Sequence, residues 1–208
     1  METCLRMHDI WTDILTAWQA QSMLEVVAVL AAIAYLVLAI RENIWCWLFA
    51  FISTAIYIYL FHQVSLLSES LLNVYYLLMA VYGWYQWRFG DHHHERQIIS
   101  WPMKKHLALI VITAGMVPIL GYLTSQLGAS MPYLDAFTTC FAVLATVMVA
   151  HKVLENWYYW LIINLTSVYL FAAKSLSLTA ALFALYVVLT VVGLINWNRH
   201  YDRQQRLA

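Results

Sequence analysis

The residues of this chain best able to hold a ligand are aromatic rings and amides repeated at helical spacing. Glu69, Asn73, Tyr76, Ala80, Gly83 and Trp87 follow one another in steps of four and three, which places them on one face of a helix. A gap-free shift of 110 residues carries them onto Thr179, Phe183, Tyr186, Thr190, Gly193 and Trp197, and carries Tyr59-Leu60-Phe61 onto Tyr169-Leu170-Phe171. A helix facing only hydrocarbon has no use for such a stripe, so the two stripes are expected to look inward at each other.

Ring faces attract cations by roughly 0.5–2 kcal/mol, and a buried amide left without a partner costs on the order of 1–3 kcal/mol. Stacked rings edged by amides therefore suit a flat, polar, cationic heteroaromatic ligand. The residues expected to line such a site are Trp47, Asn73, Tyr76, Gln86, Trp87, Trp160, Asn164, Tyr186, Thr190, Asn196 and Trp197, with Gly83 and Gly193 allowing close helix approach. Polar residues recur at matched places: Gln86 falls on Asn196, and Thr54 on Asn164. The alternative role for these amides is to bond neighbouring helices. Trp101, Tyr122, Tyr133, Trp157 and Tyr158 lie near span ends and read as interfacial belt residues.

Other chemistry is poorly supported. Glu25, Glu69 and Asp135 sit at the outer ends of their spans, too shallow for a proton relay, and no span holds a central Lys, Arg, Asp or Glu. Asp91-His92-His93-His94-Glu95 reads as a solvated loop, because nothing in it fixes a coordination geometry. Neither a metal nor a cofactor is expected. Gly-x-Ser-x-Gly, His-Glu-x-x-His and Gly-rich phosphate loops are missing, so no enzyme activity is expected. The last span contains no lysine to carry a retinal Schiff base.

The elements that position these residues follow from composition. The chain is 63% hydrophobic and 11% charged over 208 residues, against roughly 45–50% and about 25% in soluble domains, and its solvent is a bilayer. With a net charge of zero, nucleic acid is not an expected partner. Cys4, Cys46 and Cys140 lie far apart, without metal-site spacing. Seven apolar runs are long enough to cross a ~30 Å hydrocarbon core. They give an all-α membrane protein of two parallel three-helix repeats joined by a single linker helix. The expected units are an N-terminal interfacial helix at 1–21, a first bundle at 22–88, a cytoplasmic loop at 89–105, a linker helix at 106–124, a second bundle at 133–198 and a cytoplasmic tail at 199–208. Glu42-Asn43 resembles Glu155-Asn156 only at a shift of 113, which implies a small insertion and deletion around that turn. Nine lysines and arginines, Lys152 among them, fall on one face and only Arg6 and Lys174 on the other. That bias predicts an outside N-terminus and a cytoplasmic C-terminus.

The series Asn43-x3-Trp47, Asn73-x2-Tyr76-x6-Gly83-Trp84-x2-Trp87, with its second copy Asn164, Tyr186-x6-Gly193-x2-Asn196-Trp197, resembles the bacterial PnuC family of vitamin B3 transporters over about residues 22–198. The resemblance implies a fold related to the SWEET sugar transporters, nicotinamide riboside as substrate and a homotrimer in the bacterial inner membrane, among its lipids. It also implies facilitated diffusion by alternating access, with a separate cytoplasmic kinase trapping the nucleoside for NAD synthesis. Phe183 in place of Asn73, and Leu194 in place of Trp84, make the implied site asymmetric. A phosphorylated ligand needs a cation nearby, and the expected interior offers none. Thiamine, another flat cation, is an alternative substrate, and a heptahelical ligand sensor is an alternative class.

Overall fold

The computed structural model describes residues 23–63, 67–90, 96–174 and 176–207; the expected interfacial helix at 1–21 and the His92-His93-His94 run lie outside them. The described residues form seven helices: α1 (Met23–Ile40), α2 (Cys46–Gln63), α3 (Leu67–Phe89), α4 (Met103–Gln126), α5 (Pro132–Ala150), α6 (Asn156–Ala173) and α7 (Ser177–Leu207). Local chemistry sets several ends. Pro132 opens α5, where its missing N–H costs nothing, directly after Met131 in the left-handed region. α7 runs unbroken to Leu207, so the residues expected to form a separate tail are helical. Five helices (α1, α2, α4, α5 and α7) are long and apolar enough to cross a membrane, and the protein is a multi-pass membrane protein.

The turns after α1 and after α5 are built alike, residue for residue, at the shift of 110. Glu42 and Lys152 both take positive φ, 54° and 49°. The Asn43 N–H donates to the Leu38 carbonyl as the Val153 N–H does to Met148, and the Cys46 N–H donates to Asn43 as the Asn156 N–H does to Val153. This overturns the 113-residue offset expected from the Glu-Asn dipeptides: the duplication passes through the turn without a gap, and the second Glu-Asn pair is a coincidence of composition.

Within each repeat the middle helix bridges the other two, α2 touching α1 and α3, and α6 touching α5 and α7. Between the repeats, α3 packs on α5 and α7 on α1, which closes six helices into a ring with a pseudo-two-fold axis. α4 lies outside that ring against α5. A side chain at Gly121 of α4 would overlap the Tyr133 ring, so glycine permits that close approach. Leu107, Val111, Ile112, Met116, Ile119 and Leu123 of α4 are exposed, an apolar surface suited to lipid. The start of α4 is tied to the second repeat. His106 Nδ1 and the Tyr159 hydroxyl are 2.9 Å apart, and Glu155 accepts from the Ser100 hydroxyl and, at 3.3 Å, from the Trp101 N–H.

Candidate substrate-binding site

The two stripes meet at tryptophan. Trp87 of α3 and Trp197 of α7 are buried with ring centroids 6.2 Å apart, and each donates its indole N–H across the repeat boundary. Trp87 Nε1 bonds the Val149 carbonyl at 3.0 Å, and Trp197 Nε1 bonds the Ala39 carbonyl at 3.0 Å. Ala39 and Val149 are themselves matched by the 110-residue shift, so the two bonds are one interaction made twice, each repeat's third helix holding the other's first.

Each of these rings stands edge-on to a second. Trp47 meets Trp87 at 5.5 Å and 87°, and Trp157 meets Trp197 at 5.4 Å and 81°. Trp157 is buried, which corrects its expected place in the interfacial belt. Its position near the end of a helix suggested a lipid-facing anchor, yet it is the counterpart of Trp47. Behind the rings lie Gly83 and Gly193, where a side chain would overlap Trp47 and Trp157 respectively. The indole N–H groups of Trp47 and Trp157 are buried without a hydrogen-bond partner among the described residues.

Farther from the turns the repeats diverge. Asn164, buried on α6, donates to the Thr190 hydroxyl on α7 at 3.0 Å, and Thr190 donates to the Tyr186 carbonyl at 2.7 Å. At the matching places of the first repeat stand Thr54 and Ala80, and the Thr54 hydroxyl bonds carbonyls of its own helix. Tyr76 and Tyr186 occupy equivalent, half-buried positions. Tyr76 lies beside Tyr75, whose hydroxyl reaches the Val143 carbonyl of α5 at 3.0 Å, while Tyr186 meets Phe183 edge-on. Half-buried Asn73 is on α3 with Tyr76, and Trp160 packs against the buried cluster that the two repeats share and against a smaller one within the second repeat.

The matched amides Gln86 and Asn196 are at the turn end. Asn196 donates to the Ile40 carbonyl at 2.6 Å. Gln86 accepts from Arg96 at 2.6 Å and donates to the Tyr82 hydroxyl at 3.0 Å. Both amides are thus engaged in holding helix ends, apart from the Asn164–Thr190 pair.

Sequence reasoning missed the charged pair at this end. Lys152, counted only among the basic residues of one face, is 7% exposed. Its ammonium lies 3.2 Å from Glu42 Oε2 and 4.7 Å from the centre of the Trp87 ring. Glu42 Oε1 accepts from His200 Nδ1 at 2.6 Å. The signal was available, since the 110-residue shift places Lys152 on Glu42. A cavity of about 230 Å3 opens here, lined by Glu42, Asn43, Ile44, Trp87 and Lys152.

Comparisons with known proteins agree on one kind of molecule. The chain is 28% identical to the nicotinamide riboside transporter PnuC of Escherichia coli (strain K12), over 89% of this chain and 87% of that one. It is 22% identical to the riboflavin/roseoflavin transporter RibM of Streptomyces davaonensis, over 96% and 90% of the two chains. The fold is similar to the crystal structure of the vitamin B3 transporter PnuC, with a TM-score of 0.73, 22% identity, and coverage of 92% of this chain and 87% of that one. The model of the nicotinamide mononucleotide transporter family matches residues 22–199, nearly the whole of the two-repeat ring built above, and the chain belongs to that family of PnuC-type transporters.

Proposed function

We propose that this protein imports nicotinamide riboside by facilitated diffusion, the two repeats rocking about their pseudo-two-fold axis to open one side of the ring at a time. The observation that carries this reading is the crossed tryptophan joint. The repeats meet through α3 on α5 and α7 on α1, and at one end that contact is the same indole-to-carbonyl bond made twice. Two matched units held at a symmetric joint suit alternating access about a site between repeats. In the reading, Tyr76, Tyr186 and Trp160 hold the pyridinium ring and its carboxamide, and the Asn164–Thr190 pair with Asn73 bonds the ribose. Gln86 and Asn196 keep their sequence-based role as substrate readers only if rocking frees them from Arg96 and Ile40. Trp47, Trp87 and Trp197 floor the site, Trp47 seated on Gly83 and Trp197 backed by Trp157, which is seated on Gly193.

The rest of the proposal concerns setting. The chain sits in the bacterial inner membrane with its N-terminus outside and the end carrying Glu42 and Lys152 in the cytoplasm. It assembles as a SWEET-like homotrimer, with the units at 22–88 and 133–198 as its moving bodies, and a cytoplasmic kinase traps the product by phosphorylation. The test is uptake of labelled nicotinamide riboside into vesicles containing only the purified protein. Equilibration without an ion gradient, unaffected by a protonophore, is the expected result; accumulation that collapses with the protonophore overturns facilitated diffusion. The likeness to RibM favours a second reading, a flavin substrate, and competition between riboflavin and nicotinamide riboside in the same vesicles separates the two.

A further inference from the structure

We propose that Glu42 and the face of Trp87 form a cation subsite at the turn end of the ring, occupied in this structure by the chain's own Lys152 and open to the substrate's positively charged ring as it passes. The inference rests on the reading of a cationic nucleoside as substrate. Its support begins with the backbone. Left-handed φ costs a non-glycine residue roughly 1–2 kcal/mol, and glycine is the ordinary choice in such turns. At both matched turns the chain instead places a charged residue, Glu42 at 54° and Lys152 at 49°. Strain of this kind persists where a side chain is needed for something else.

Burial points the same way. The two side chains are only 13% and 9% exposed, and a buried ion pair repays its desolvation poorly compared with apolar packing. Lys152 also reports the chemistry of its surroundings. A primary ammonium held 3.2 Å from a carboxylate and 4.7 Å above an indole ring occupies a place built for a cation. The His200 bond to the other carboxylate oxygen fixes Glu42 in position. The adjoining cavity of about 230 Å3 is small beside the roughly 300–1,000 Å3 that encloses drug-sized ligands and has room for a pyridinium ring. A pyridinium taking this place displaces the ammonium from the carboxylate, which breaks the bridge between the repeats and couples exit to the presence of a cation.

The experiment uses 1-methylnicotinamide, a cationic ring without ribose, and neutral nicotinamide as probes, with binding to the purified full-length protein followed by calorimetry. Lys152→Met vacates the subsite, and affinity for the cationic probe is expected to rise roughly 3- to 30-fold with affinity for nicotinamide unchanged. In Glu42→Gln/Lys152→Met that gain is expected to vanish. Lys152→Gln, which keeps a polar head beside Glu42, gives the same direction if the methionine variant does not fold. The proposal is overturned if both lysine variants leave the cationic probe's affinity unchanged, if they raise both probes alike, or if the double variant retains the gain. Uptake of nicotinamide riboside by the unaltered protein is scored separately: uptake without the binding gain removes the subsite alone, and the gain without uptake removes the substrate assignment alone.

Discussion

Trp87 and Trp197 make the same bond from opposite sides, whereas Trp47 and Trp157, equally buried and equally matched, carry indole N–H groups with no partner among the described residues. Phenylalanine in place of any of the four removes similar ring area, so the difference between the two pairs isolates the hydrogen bond. Trp87→Phe and Trp197→Phe are expected to cost about 0.5–1.5 kcal/mol more than Trp47→Phe and Trp157→Phe. The lower half of that range is favoured, because Ala39 and Val149 keep a second donor in the backbone N–H groups of Glu42 and Lys152. Thermal unfolding of the four purified variants in one detergent checks this. Equal losses in all four would mean that the crossed bonds contribute nothing beyond ring packing.

At the scale of elements, the segment following α3 is tied down by a closed circuit of hydrogen bonds. Arg96 donates from Nε to the His151 carbonyl at 3.0 Å and from Nη1 to Gln86; Gln86 donates to Tyr82; and the Tyr82 hydroxyl lies 3.1 Å from His151 Nε2. Nδ1 of the same imidazole, 2.9 Å from the Val147 carbonyl, must carry the proton, which leaves Nε2 to accept from Tyr82. Burial pushes the His151 pKa below its ordinary value of 6.5 and Arg96 and Lys105 push it further, against the opposing effect of the Val147 bond. A base with a lowered folded pKa binds fewer protons than the unfolded chain, so the stability it brings is complete above about pH 6.5 and is lost as pH falls toward the lowered value. The melting temperature of the protein is therefore expected to fall between pH 7 and pH 5.5 more steeply than that of His151→Asn. Parallel curves would remove His151 as the cause. The circuit was not legible in the sequence, because the two bonds that close it, from Arg96 and from Tyr82 to His151, join residues 55 and 69 positions apart with no periodic spacing. The helices themselves were legible, since apolar runs and matched stripes are local patterns. The identity of Trp157 was readable only once the repeat had been carried through the turn, where the Glu155-Asn156 dipeptide misdirected the alignment.

For the whole molecule the controlling fact is that one shift of 110 residues relates the two halves, and that it superposes a glutamate on a lysine. The stripes and the glycines could be read from each half alone; the bridge between Glu42 and Lys152 exists only because the halves face each other. An exchange of the two charges tests that geometry directly. Glu42→Lys or Lys152→Glu sets like charges together in a half-enclosed site, and breaking such a buried pair costs on the order of 3–5 kcal/mol. Glu42→Lys/Lys152→Glu puts each charge where the pseudo-two-fold axis had placed its opposite. It is expected to recover more than half of the summed loss, a coupling read from the double-mutant cycle in thermal unfolding. Recovery falls short of complete for two reasons. His200 bonds Glu42 at 2.6 Å, and its counterpart in the first repeat is Gly90, so the relocated carboxylate has no imidazole to receive. The relocated lysine likewise faces Trp197 in place of Trp87. Single and double variants that are equally destabilised would mean that the two turns do not face each other across an axis, and the symmetric joint on which rocking depends would fall with them.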